Sequence, residues 1–119
     1  MRRLLLLAIL GLSVPSSGTV RTRPIALSPS AANDLECFTL GLVAAGGANQ
    51  AAKRDSAVAG LWYFLGRLDG EAPGIDLRKE ADRALARMSG NPHTNEIGAA
   101  CDAQFRNRSA DLIRLGGRA

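Results

Sequence analysis

Residues 58–68 (VAGLWYFLGRL) constrain the fold of this chain more than any other segment, because as a helix they are apolar around most of the circumference. At about 100° per residue, one stripe of this helix comprises Val58, Leu61, Trp62, Leu65 and Leu68. The polar positions form a narrow strip that includes Tyr63 and Arg67. Such a helix has to pack on more than one side, so the sequence predicts the central helix of a small all-α bundle.

Capping residues, glycines and prolines divide this 119-residue chain into four helices, of which the central one is the second. The first is predicted from Asn33 or Asp34 to residue 45, the second over 51–68 and the third from its cap Asp76 to residue 88. A fourth begins between residues 91 and 95 and ends at 116. The sequence therefore predicts one four-helix domain over residues 33–116. The residues predicted for its core are Phe38, Leu61, Trp62, Leu65, Phe105 and Leu112.

The N-terminus is typical of a secretory signal peptide. A basic start is followed by an apolar run over residues 4–12 and then by small residues. This predicts a leader over residues 1–18, with cleavage after Ser16 or Gly18, or at a less favoured site near residue 32. Residues 19–32 are predicted to be an extended tether. The apolar run is shorter than the roughly 20 residues that span a bilayer, and no cysteine follows it directly. The expected product is a periplasmic or secreted protein without a stable membrane anchor.

The chain has two cysteines, Cys37 and Cys101, on two different predicted helices. In an exported protein such a pair most simply forms one disulfide. A redox or metal-binding pair is the competing interpretation. It is disfavoured because neither cysteine lies in a C-x-x-C motif and no second cluster of ligands accompanies them.

Charge and motifs argue against nucleic-acid binding and against catalysis. Without Arg2 and Arg3 of the leader the net charge is about +2, and the basic residues alternate with acidic ones instead of forming a stripe. His93 is the single histidine and belongs to no catalytic or zinc-binding motif, so an exposed loop position is expected. The sequence predicts a protein that is not an enzyme and that has neither a metal nor another cofactor.

Three side chains are candidates for interactions. Tyr63 and Arg67 are four residues apart on helix two, where they can stack as a cation–π pair or face a ligand. Arg108 falls inside the apolar face of helix four. Its stem can lie along the core with its head in water, or it can form a partly buried ion pair with another helix.

The segment LWYFLGRLDGEAPGIDL, together with an upstream Leu-Glu-Cys-Phe and a downstream Cys101, resembles a set of small exported helical proteins of alphaproteobacteria. The resemblance covers residues 35–115. It implies export, a helical fold and paired cysteines, and it brings no established activity. A weaker, architectural similarity is to periplasmic acid-stress chaperones of the HdeA type, from which this chain differs around both cysteines.

Two functions agree with these observations. The first is an exported binding protein that acts in envelope homeostasis or as a holdase, which predicts broad apolar surface exposed by a trigger such as acid. The second is a regulatory or inhibitory subunit of one exported protein, which predicts one fixed patch and one partner. The sequence does not identify the protein partner or the oligomeric state.

Overall fold

The computed structural model describes residues 26–118, so the predicted leader and most of the predicted tether lie outside the described residues. Four helices make up this part of the chain: α1 (Pro29–Gly47), α2 (Ala51–Glu71), α3 (Leu77–Met88) and α4 (Thr94–Gly116). The predicted small all-α bundle with one disulfide is confirmed. None of the helices in this part of the chain is both long enough and apolar enough to cross a membrane.

Helix α1 begins earlier than predicted. The side chain of Ser28 accepts a hydrogen bond from the backbone N–H of Ala31 at 3.1 Å, and Pro29 occupies the first turn, where its missing N–H is not needed. Residues 29–32 are therefore helical and do not belong to a tether. The predicted caps Asn33 and Asp34 lie inside the helix.

The boundaries of α3 and α4 follow local signals in the sequence. Asp76 caps α3 as predicted, because its carboxylate accepts a hydrogen bond from the N–H of Lys79 at 3.2 Å. Gly74 turns the chain before this cap with a φ of 80°, a conformation that favours glycine. Helix α4 begins at Thr94, within the predicted range.

Helix α1 packs on all three of the others, whereas α2, the predicted central helix, packs chiefly on α1. The two helices approach closely at Gly41, where a Cβ atom would lie 3.2 Å from the Cβ of Leu61. Helix α1 buries six residues, whereas α2 buries only Phe64 and Leu68. A central position for α2 was therefore wrong: it packs chiefly along one side of α1.

The predicted core is partly wrong for the same reason. Phe38 is buried, and Leu61, Leu65 and Phe105 are half-buried and pack against the core. Trp62 is 64% exposed, because it lies about 200° around α2 from Phe64, on the side away from α1. Leu112 is 55% exposed because it lies on a part of α4 that the other helices do not cover. Helix α3 fills the core instead, with Ala81, Ala84 and Met88.

Three contacts show that α4 runs antiparallel to α1. The predicted disulfide joins Cys37 to Cys101, with their Cα atoms 5.4 Å apart. Toward one end a Cβ on Gly98 would lie 3.9 Å from Leu40, and toward the other the side chain of Asn33 donates to Gln104 at 3.4 Å. Residues of α4 beyond 108 therefore project past the beginning of α1.

Candidate functional site

The C-terminal part of α4, residues 106–116, lies mostly beyond the bundle; we call it the α4 tip. All of its side chains are exposed except that of Ser109, which is half-buried. Its three large aliphatic residues are Leu112, Ile113 and Leu115, which are 55%, 75% and 62% exposed. Leu112 follows Phe105 by seven residues, so it lies on the face that packs in the bundle. The apolar face with which α4 packs on the bundle therefore extends beyond the buried core.

The charged side chains of the tip are mostly basic. Arg106 pairs with Asp102, and Arg114 lies 3.0 Å from the carboxylate of Asp111. Arg108 is exposed and forms no ion pair within residues 26–118, so the interpretation of a buried ion pair was wrong. The tip therefore combines an apolar face with a net positive charge.

A groove of about 290 Å³ lies between α1, α2 and α4. It exists because small residues face it from all three helices: Gly41, Ala44, Ala57, Gly60 and Gly98. Its larger apolar walls are Leu40, Leu61, Phe64 and Phe105, and the disulfide lies beside them. The only polar side chains among the described lining residues are Lys53, Ser56 and Asp102.

Arg67 forms a polar cluster with Asp34 at the edge of the bundle core, where the Arg67 side chain is partly exposed and that of Asp34 is buried. Its Nε donates to both carboxylate oxygens of Asp34, at 2.9 and 3.1 Å, and the Asp34 side chain is fully buried. The predicted stacking is also present, since the Arg67 guanidinium lies 5.8 Å from the ring centroid of Tyr63. Glu71 lies 3.6 Å from the same guanidinium, and Ser30 donates to Glu71 at 3.0 Å. Arg67 thus compensates a buried charge.

The Asp34 carboxyl has a pKa raised above its ordinary value of 3.8. Burial is the main cause, and the hydrogen bond and charge of Arg67 oppose it. Sequence reasoning placed Asp34 at a helix cap and so missed this buried carboxylate. The sequence signal that could have identified Asp34 as buried is its position one residue before Leu35 and four before Phe38, on the face that α1 buries.

The remaining candidates for catalysis or metal binding do not form a common site. His93 is exposed, with Nδ1 3.2 Å from the carboxylate of Glu96 three residues on. Within residues 26–118 no group of three or more His, Cys, Asp or Glu side chains is placed to hold a metal ion. The described surface therefore offers two features suited to binding, the α4 tip and the groove.

Comparison of the chain with models of protein families, with curated proteins and with solved structures gave no match.

Proposed function

We propose that this protein is an exported helical binding protein and that the α4 tip docks on one partner protein. The observation that carries the proposal is a preformed apolar stripe: Leu112 and Leu115 lie about 60° apart on α4, Ile113 flanks Leu112 on its other side, and all three are more than half exposed. Contiguous exposed apolar surface with a polar rim is typical of protein interaction sites. Covering the exposed parts of these three side chains contributes about 3 kcal/mol to binding.

The charge of the tip also indicates what kind of surface its partner has. Arg108 of the tip and Arg118, two residues beyond its end, are exposed and have no ion pair in the part of the chain that the structure describes. A complementary surface has an apolar groove with acidic residues at its rim, because charge complementarity favours encounter and fixes register. This supports the interpretation of this protein as a regulatory or inhibitory subunit, which has one fixed patch for one partner.

Export is supported by two independent features. The sequence begins with a predicted leader, and Cys37 and Cys101 form the disulfide that oxidising compartments permit. A periplasmic or secreted partner follows from the same argument.

A holdase is the second candidate, because large apolar side chains are also exposed far from the tip. These are Leu42, Val43, Trp62 and Leu85. The buried carboxyl of Asp34 does not supply an acid trigger for it, because protonation would neutralise a charge whose burial already raises its pKa. Loosening in acid would have to arise from general repulsion among the basic residues.

Affinity capture from the periplasm of the native host tests the proposal. Three baits are compared: the wild-type mature protein, a tip variant with Leu112→Glu and Ile113→Glu, and a control variant with Val43→Glu. Val43 is 50% exposed on α1, away from the tip, so the control adds the same kind of charge elsewhere. We expect one stoichiometric partner with the wild type and the control, and its loss with the tip variant.

Three outcomes contradict the docking proposal. Capture of many unfolded proteins by all three baits identifies a holdase, and protection of an unrelated client from aggregation near pH 3 would then confirm that activity. Capture of no protein, or of the same partner by all three baits, shows that the tip is not a docking surface.

A further inference from the structure

We propose that the groove between α1, α2 and α4 binds a fatty carboxylate, with its acyl chain along the apolar walls and its carboxylate beside Lys53. This site is separate from the α4 tip, and the inference does not depend on the docking proposal.

The shape of the groove fits a single unbranched chain. Lys53 and Phe64 both line it and are eleven residues apart on α2, which corresponds to about 16 Å along the helix. A volume of about 290 Å³ spread over that length describes a long, narrow groove. A helix of a partner protein is about 10–12 Å in diameter with its side chains, so it does not fit. The volume of about 290 Å³ is just below the range of drug-sized ligand sites, about 300–1,000 Å³, as a site for one slender chain should be.

The walls of the groove are chemically suited to an acyl chain. Leu40, Leu61 and Phe105 supply apolar surface, and the disulfide sulfurs add more beside them. Gly60 and Gly98 keep the space open, since their missing side chains would point toward Phe105 and Leu40. Removing apolar chain from water contributes about 0.8 kcal/mol for each buried methylene group.

One end of the groove carries uncompensated positive charge. Lys53 forms no ion pair with any residue that the structure describes, whereas Asp102 is already paired with Arg106. Lys53 also lies in the first turn of α2, which has no acidic residue and no side-chain cap. The free N–H groups of this turn add to the ammonium charge, although the negative end of α1, which ends at Gly47, partly offsets them. An anionic head group is favoured there, and a cationic one is disfavoured.

Calorimetric titration of the mature, oxidised protein with monomeric sodium dodecanoate tests the proposal. We expect saturable binding of one molecule with a Kd of roughly micromolar magnitude. Lys53→Met should weaken it about tenfold, and dodecyltrimethylammonium should bind at least about tenfold more weakly than dodecanoate. Amide chemical-shift changes should be confined to residues that line the groove.

Two glycine substitutions on α2 provide a matched pair. Gly60→Leu places a side chain in the groove and should abolish binding, whereas Gly66→Leu adds the same group where nothing lies within 4 Å of a Cβ atom. Circular dichroism establishes whether each variant is folded. If Gly60→Leu does not fold, the Lys53→Met titration and the chemical-shift map decide.

Any of the following results overturns the proposal. One is absence of saturable dodecanoate binding to the wild type. Another is equal affinity for the anionic and cationic probes, or shift changes at the α4 tip instead of the groove. The third is binding to phosphatidylglycerol vesicles without binding of monomeric dodecanoate, which indicates a membrane surface and not a site for a free fatty acid.

Discussion

Replacing Arg67 by methionine should destabilise the bundle more than replacing Asp34 by asparagine, although the two residues form one ion pair. The Asp34 side chain is 0% exposed, whereas that of Arg67 is 37% exposed. Without Arg67 a buried carboxylate loses its cation, and we expect the free energy of unfolding to fall by about 3 kcal/mol at neutral pH. Without the Asp34 charge the guanidinium can turn to water, and the cost should be about 1 kcal/mol.

The double variant separates the two contributions. Adding Asp34→Asn to Arg67→Met removes the buried charge that the single Arg67 variant leaves uncompensated. The double variant should therefore be more stable at neutral pH than Arg67→Met alone. A purely geometric role for Arg67 predicts the opposite order, because each substitution would then remove further contacts.

The pH dependence follows from the raised pKa of Asp34. A carboxyl whose folded pKa lies above its unfolded value binds protons more readily in the folded state. Its favourable contribution is fully present below the unfolded value of 3.8 and is lost as the pH rises through the folded pKa. Arg67→Met removes the interactions that oppose this rise, so the folded pKa should increase further. The stability difference between wild type and Arg67→Met should therefore shrink as the pH is lowered toward 4.

Urea unfolding followed by circular dichroism, at neutral pH and near pH 4, measures these differences. The reasoning is refuted if Asp34→Asn costs as much as Arg67→Met at neutral pH. It is also refuted if the cost of Arg67→Met does not change between the two pH values.

Three further predictions concern packing, the disulfide and export. Phe64→Ala should cost about 3–5 kcal/mol and Trp62→Ala less than about 1 kcal/mol in the same unfolding assay, because only Phe64 is buried; equal costs would mean that α2 faces the other way. Replacing Cys37 and Cys101 together by alanine should lower stability by about 4 kcal/mol, since they close a loop over a separation of 64 residues, and thiol labelling of denatured wild-type protein should find no free cysteine. Intact-mass measurement of the exported protein should show loss of the leader, whereas recovery with Met1 in the membrane fraction would contradict export.

Features with local signals were predictable from the sequence. Asp76 caps α3 because a short acidic side chain before an amphipathic segment can bond to the free N–H groups of its own helix. The disulfide followed from the number of cysteines and the predicted compartment. The number and order of the helices followed from glycines, prolines and apolar periodicity.

The orientation of α2 was not predictable, because a helix that is apolar nearly all round does not specify which stripe packs. The close approach at Gly41 determines this orientation. Because Gly41 has no side chain, Leu61 can lie against α1, and the stripe that contains Phe64 then packs on α1. Asp34 was missed because its partner Arg67 is 33 residues away.

The candidate site was predictable only in part. Leu112 was predicted for the core because it lies on the apolar face of α4, but periodicity does not show where the neighbouring helices end. Only the relative positions of α1 and α4 reveal that these residues project past the bundle. The groove has no sequence signature, since it depends on small residues of three helices meeting at one place.

The attachment of α4 to the bundle has a consequence for how the protein opens. Helix α4 is joined to α1 by one covalent bond and packs on its neighbours mainly through its first three turns, whereas α1 and α2 pack along most of their lengths. Segments with few buried contacts open at lower free energy than the rest of a protein, as separate cooperative units. In reduced protein, amide protons of α4 should therefore exchange with solvent deuterium well before those of α1 and α2. Redox state would then decide whether the molecule opens in one step or in two.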